Sequence, residues 1–292
     1  MNHMKRILLF ALAVMAAACS TAPNPFPEGA SLYDLRSGEA LTPQKAAKSP
    51  AVYGTLQTRL FDSDQTYSFV RVKTSKYQLE VLTAEGEKAD STSALCLRNG
   101  AVAGINGSYF NMKELTPVTY VKDDGFVVGT TTQGEVFRTN GAILFTSDGF
   151  VIDATEADTT WTGGETWREA MASGPILIDE GEVVEYEEGI SGWKGFYAKR
   201  HPRSLVGTDA QGYVWLVVVD GRVPDQAEGM SIAELTELAL QLGLTDALNL
   251  DGGGSSTLWT LPAGVINHPY DNHRFDNEGQ RIIPNALLVK EL

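Results

Sequence analysis

The chain has 292 residues, 43% of them hydrophobic, with 29 glycines and a formal net charge of -14. This composition fits a globular protein with a large core and many tight turns. The acidic balance sets nucleic acid aside as a partner, because a phosphate backbone would be repelled, although a locally basic pocket for one small phosphate stays compatible with it.

In chain order, Lys5 and Arg6 precede a twelve-residue apolar run, Ile7 to Ala18, and then Cys19. This is the layout of a secretory signal, and the run is too short to span a bilayer. Cys19 directly after three alanines resembles a lipobox, so residues 1–19 are read as a signal peptide with Cys19 as the lipidation site. Ala16 stands where Leu is usual, which leaves ordinary cleavage and release as the other outcome. The expected location is the cell envelope after export, with the membrane reached through a lipid on Cys19. Residues 20–50 carry Pro23, Pro25, Pro27, Pro43 and Pro50 with few large apolar side chains, and read as a tether, part of which could pack on the domain. Residues 51–292 are read as a single domain, with no internal repeat.

Within that domain strand periodicity dominates. TYSFVRV (66–72) and YQLEVL (77–82) alternate across a Thr-Ser-Lys turn and read as a hairpin. AVAGI, GAILF, GFVID, GPILI and NALLV are further short apolar runs bounded by turn residues, and YVWLVVV (213–219) has no polar face, so it should be buried on both sides. One helix is plain: Ser231 and Glu234 make a capping box, Ile232, Leu235, Leu238, Ala239 and Leu242 form the apolar stripe, and Gly243 ends it. With TDALNL following, this gives a right-handed strand-helix-strand crossover between parallel strands. The fold class is therefore α+β, a β-rich mixed sheet with few helices and one such crossover. Cys96, the other cysteine, lies in the apolar stretch ALCL and reads as a small buried hydrophobe; no CxxC pair exists for structural zinc.

VVVDGR and LNLDGGG put Asp220 and Asp251 at equivalent points, each after a buried strand and before glycine. Ligands collect outside the carboxyl ends of such strands, so both carboxylates are expected to face one crevice. Asp-Gly is also a common turn, which is the plain alternative for Asp220. Three consecutive glycines exceed what a turn needs. Gly252, Gly253 and Gly254 with Ser255 and Ser256 could offer amides and hydroxyls to an anion as a backbone nest. No Lys follows them, which excludes a Walker loop, and Thr257 stands where a serine-hydrolase elbow needs Gly. Arg203, Arg222 and Arg281 could pair with phosphate oxygens or form surface ion pairs.

GINGSYFN (104–111), ASGPILI (172–178), HPRSLVGTD (201–209), the stretch from VWLVVVDGR to DALNLDGGGSSTLW, and NHPYDN with GQRIIPNALLV occur in this order. Together they resemble the phosphodiester glycosidase family over residues 65–290, the DALNLDGGGSST block being the most specific. Gly107, Ser108, Tyr109 and Phe110 replace the family's usual Gly-Gly-Phe-Phe, which is expected to alter a pocket wall. The resemblance implies hydrolysis of a sugar-1-phosphodiester at its glycosidic C–O bond, releasing free sugar, with N-acetylglucosamine the sugar it points to, and a phosphomonoester. An oxocarbenium-like transition state needs a carboxylate, and the departing phosphate needs donors. Asp251 is accordingly the expected catalytic carboxylate, with Asp220 a second carboxylate or metal ligand. Arg203, Arg222, Arg281 and the Gly252–Ser256 turn would hold phosphate, while Asn106 and Asn249 either bond sugar groups or cap turns.

His268 and His273 flank PYDN and could act as acid, base or metal ligand, or sit in a surface loop; Asp271, Asp276 and Glu278 are nearby carboxylates without EF-hand spacing. Trp193 is either a sugar-stacking platform or a packing residue. No cofactor is certain, and a divalent cation is left open. Two other functions share the same strand ends: a glycan- or wall-polymer-binding protein without catalysis, and a metal-dependent phosphodiesterase cutting P–O through Asp220 and Asp251.

Overall fold

The computed structural model describes residues 24–84, 86–146, 149–162 and 166–292. The proposed signal peptide, Cys19 and residues 20–23 lie outside them. Among the described residues no helix is long and apolar enough to cross a membrane.

The architecture is set by one eight-stranded antiparallel sheet, in the order Ser31–Asp34, Ala51–Leu60, Ser63–Lys73, Tyr213–Val219, Arg203–Asp209, Leu244–Asn249, Ile176–Asp179 and Glu182–Val183. The Tyr213–Val219 strand is buried on both faces, as its sequence requires. Val214, Leu216 and Val218 enter a core shared with two smaller sheets, whereas Trp215, Val217 and Val219 point to the opposite layer. Each smaller sheet has five strands. One contains Ala103–Asn106, Asn285–Glu291, Tyr77–Thr83 and Leu258–Thr260; the other contains Gly141–Thr146, Gly149–Ala154 and Glu169–Ser173. Ile105 and Leu287 of the first, and Ile143 and Met171 of the second, meet the large sheet in that shared core. The fold class is β-rich α+β, as expected.

The other face of the large sheet is covered by the helix Ile232–Gln241. Ser231 and Glu234 form the capping box, with Ser231 N donating to Glu234 Oε2 at 2.9 Å and Glu234 N to Ser231 Oγ at 3.2 Å. Ile232, Leu235, Leu238 and Ala239 are buried against the sheet, and Gly243 takes φ 75° to turn the chain out. The strands before and after this helix both run antiparallel to Arg203–Asp209, so they are parallel to each other with that strand between them. The crossover is thus wider than the sequence implies.

Two expectations are corrected. Residues 66–82 do not form a hairpin. Ser63–Lys73 pairs with Ala51–Leu60 and Tyr213–Val219, while Tyr77–Thr83 pairs with Asn285–Glu291 in a smaller sheet. Val70 and Val72 share one core with Tyr77, Leu79 and Val81, so the turn carries the chain between layers. Nor is the Pro-rich segment a free tether from Phe26 onward. Phe26 lies 5.8 Å from the rings of Phe69 and Trp215, Leu35 is fully buried, and Ser31–Asp34 is an edge strand. Phe26, Leu32 and Ala46 pack on the helix-bearing face of the large sheet, whereas Leu35 enters the core shared with the smaller sheets. Cys96 is buried in the helix Thr92–Arg98, where burial pushes its thiol up to about 12; a Cβ on Gly104 would collide with its sulfur.

Candidate active site

Asp251 follows the Leu244–Asn249 strand and lines a cavity of about 320 Å³ with Tyr109, Phe196, His201, and the arginines 138, 203, 222 and 281. Its backbone is held from both sides: Asp251 N donates to Gly107 O at 3.1 Å, and Asn106 Nδ2 donates to Asp251 O at 2.6 Å. Burial raises the Asp251 pKa above the usual carboxylate range, against the opposing pull of Ser255, the Gly252 amide, and the Arg138 and Arg281 charges. Among the described residues it is the only carboxylate lining this cavity. A larger groove of about 650 Å³ runs beside the helix Ile232–Gln241, but only Glu185 and Glu237 bring charge to it, with no basic group to meet an anion.

The glycine triplet is explained by contact rather than by an amide nest. A Cβ on Gly252 would lie 2.7 Å from Pro202 O, Gly253 has φ 63°, and a Cβ on Gly254 would lie 2.3 Å from both Arg281 Nη2 and Asp271 Oδ1. Four of the five amides are already occupied: Gly252 N by Asp251 Oδ1, Gly253 N by Pro202 O, Ser255 N and Ser256 N by the preceding turn. The expected phosphate nest at Gly252–Ser256 is therefore corrected to a turn that lets guanidiniums approach. Arg222, itself at φ 66°, lays its guanidinium over Gly253. Ser255 meets Arg281 Nη1 at 3.4 Å; Ser256 Oγ is buried without a partner.

The arginines differ in how they are held. Arg138 is bound by Glu135 at 2.5 Å and lies 3.7 Å over the Tyr109 ring; Arg281 is bound by Asp271 at 2.6 Å. Arg203 is only 2% exposed, donates to the carbonyls of Met230, Phe196 and Lys199, and has its pKa lowered to about 10 by burial. Neither Arg203 nor Arg222 has a carboxylate partner among the described residues, so both leave charge for a ligand. His201 joins the wall, its Nε2 bonded to Gly195 O at 2.9 Å; its pKa is lowered by burial, then by the Arg203 and Arg222 charges.

Other expected site residues are placed elsewhere. Asp220 is 1% exposed and does not line the cavity: it accepts from Asn267 Nδ2 at 3.0 Å and His268 N at 2.9 Å, and its Oδ2 lies 2.8 Å from His268 Nδ1. The shared crevice for two carboxylates is thus corrected, since Asp220 has its lone pairs filled where it stands. Asn106 and Asn249 are each 1% exposed and do not line the cavity. Asn106 Oδ1 accepts from Ser204 and Thr257, and Asn249 Nδ2 donates to Tyr109, Gly174 and Leu250. Trp193 packs beside Tyr197 and lines the larger groove; Phe196 takes the cavity wall instead. His268 stacks on Phe275 at 3.8 Å, and His273 sits at φ 59° in its exposed loop. No group of three or more His, Cys, Asp or Glu among the described residues is placed to hold a metal ion, and Asp220 does not share the cavity that Asp251 lines.

Arg138, Tyr109 and His201 were not singled out as site residues from the sequence. Tyr109 stands at the departure from Gly-Gly-Phe-Phe and lines the cavity; Arg138, in the segment VFRTN, has no motif around it.

A cavity built from one half-buried carboxylate and several guanidiniums, at the strand ends of a β-rich α+β fold, has the charge to meet a small anion. The phosphodiester glycosidase family model matches residues 99–290, and the chain belongs to that family. The N-acetylglucosamine-1-phosphodiester alpha-N-acetylglucosaminidase of Mus musculus is 29% identical over 180 residues, covering 59% of this chain and 34% of that protein. The Bos taurus protein of the same name is 28% identical over 187 residues, 61% and 34% of the two chains. The chain thus spans about a third of the length of these curated relatives. In structure it is similar to the zebrafish catalytic domain of that name, auto-inhibited by its pro-peptide, with a TM-score of 0.66, 16% identity, and 90% and 88% of the two chains covered. A hypothetical protein from Synechocystis aligns with a TM-score of 0.59 at 16% identity, over 82% and 62% of the chains. At such identities the likeness concerns the fold.

Proposed function

We propose that the protein hydrolyses a sugar-1-phosphodiester at the anomeric C–O bond, with Asp251 as the reacting carboxylate and N-acetylglucosamine as the first sugar to test. The observation that carries this reading is the placement of Asp251, buried enough to hold a raised pKa, in one cavity with Arg138, Arg203, Arg222 and Arg281. Glycosidases commonly use two carboxylates, one of them an acid for the leaving oxygen. Here the leaving group is a phosphate, already stabilised as an anion, and guanidiniums aimed at its growing charge take the place of that acid. Asp251 then serves as base for water or as nucleophile. Asp220 supports the site at a distance by holding the His268 loop.

Incubation with a synthetic N-acetylglucosamine alpha-1-phosphodiester in ¹⁸O-labelled water, followed by NMR, tests this. Label in the free sugar is the expected result. Label in phosphate assigns P–O cleavage instead, and binding without turnover assigns a glycan-binding protein. The wall phosphodiesters of a cell envelope are the substrate class that export would give access to. Residues 5–19 alone support export and anchoring through Cys19. Cys19→Ser should move the protein from membranes to the soluble fraction, and an unchanged distribution removes the anchor.

A further inference from the structure

Resting on that reading, we propose that the cavity retains the phosphomonoester product as a dianion and lets it go when Asp251 loses its proton, so that product occupancy is set by pH.

The charges facing the cavity lead to this. Arg138 and Arg281 are each neutralised by a carboxylate of their own, Glu135 and Asp271. Arg203 and Arg222 are not, and Arg203 is anchored by three carbonyls so that it cannot swing out to find a partner. Two unpaired guanidiniums in a partly desolvated cavity are best matched by two negative charges. Asp251 lines the same cavity as the only carboxylate among the described residues there. The remaining polar neighbours do not change charge near neutral pH. The Gly252 amide and Ser255 hydroxyl do not titrate there, the Tyr109 phenol donates to Gly174 O and is pushed up by burial, and the His201 ring is pushed down.

The hydrolysis keeps this balance. Before reaction a phosphodiester monoanion and ionised Asp251 supply two negative charges. Water oxygen bonds to the anomeric carbon, and the C–O bond breaks with its electron pair left on the phosphate oxygen. One water hydrogen stays in the new sugar hydroxyl and the other goes to Asp251. The phosphomonoester is now a dianion and Asp251 is neutral, so the total is unchanged and the product stays matched to Arg203 and Arg222. Loss of the Asp251 proton adds a third negative charge beside the phosphate and expels it. The burial that raises the proton affinity of Asp251 favours the retained state.

Inorganic sulfate separates this from the ionisation of phosphate itself, whose second pKa lies near 6, because sulfate stays dianionic from pH 5 to 9; methyl sulfate is the monoanionic control. Calorimetric titration of the protein should give a sulfate Kd rising by up to about tenfold per pH unit above the Asp251 titration. Binding heats that depend on the ionisation enthalpy of the buffer should report proton uptake, whereas methyl sulfate should show neither trend. Asp251→Asn should bind sulfate with no pH slope. A flat wild-type affinity, no sulfate binding, or a slope that survives in Asp251→Asn overturns the proposal; if the variant does not fold, the buffer-dependent heat of the wild type decides. The measurement needs no turnover. A sulfate slope without ¹⁸O incorporation would strike the hydrolytic reading and leave the proton-gated dianion site, while labelled sugar without the slope would strike the gate alone.

Discussion

Asp220 and Asp251 follow parallel strands that flank Arg203–Asp209, and each precedes a glycine, yet the protein uses them in opposite ways. Asp220 accepts from Asn267 Nδ2 and the His268 backbone amide and stands against His268 Nδ1; Asp251 accepts from the Gly252 amide, with Ser255 beside it, and faces a cavity. A buried carboxylate with its lone pairs filled is architecture, whereas one that faces a cavity beside guanidiniums is available for chemistry. The sharpest way to break the comparison is Asp251→Asn. It should lower kcat/KM on the phosphodiester by about 10³-fold or more while thermal unfolding stays at or above the wild-type midpoint, because a poorly compensated buried charge is removed. Comparable activity in the variant would take Asp251 out of the reaction.

Gly254→Ala tests whether the glycines serve the arginines. Its Cβ would overlap Arg281 Nη2 and Asp271 Oδ1, both at the ends of flexible side chains, so the pair should swing aside while the backbone stays in place. About a tenfold rise in KM, with kcat less affected, is expected from losing one oriented guanidinium. Asp220→Asn should show the reverse pattern. Replacing an acceptor that serves Asn267 and His268 should cost about 1–3 kcal/mol in denaturant titration, with kcat/KM falling less than tenfold. If Asp220→Asn matched Asp251→Asn in lost activity, the division between the two strand ends would be wrong.

Local signals made part of this readable in advance. The Tyr213–Val219 strand, the capped helix and the Asp251 turn announce themselves through apolar runs, a Ser-x-x-Glu pair and a glycine triplet, all within a few residues. What decides the site is long-range. Asn106 reaches Asp251 across 145 positions and Asn267 reaches Asp220 across 47, so nothing near either asparagine distinguishes a positioning residue from a sugar ligand. Arg138 sits in a short turn whose orientation is fixed by Tyr109 and Glu135, and only the assembled sheets bring it to the cavity. The 66–82 segment misled for the same reason. Alternation places side chains on faces but does not name the strand's neighbour.

The smallest expected effect separates the two carboxylates by their influence on stability alone. Because the folded pKa of Asp251 is raised, the folded protein holds that proton to higher pH than the unfolded chain does. Above the folded pKa its ionised form carries the full burial penalty. As pH falls through that value toward the unfolded carboxylate pKa near 3.9, the folded state takes up the proton first and the penalty is relieved. Asp251→Asn carries no such penalty at any pH. Its advantage in unfolding free energy over wild type should therefore be greatest at neutral pH and shrink on acidification, by about 1.4 kcal/mol for each unit by which the pKa is raised. Paired denaturant titrations from pH 7 to 4 read this difference directly. A constant offset between the two proteins would mean that Asp251 titrates normally, and that its place on the cavity, rather than its proton affinity, is what sets it apart from Asp220.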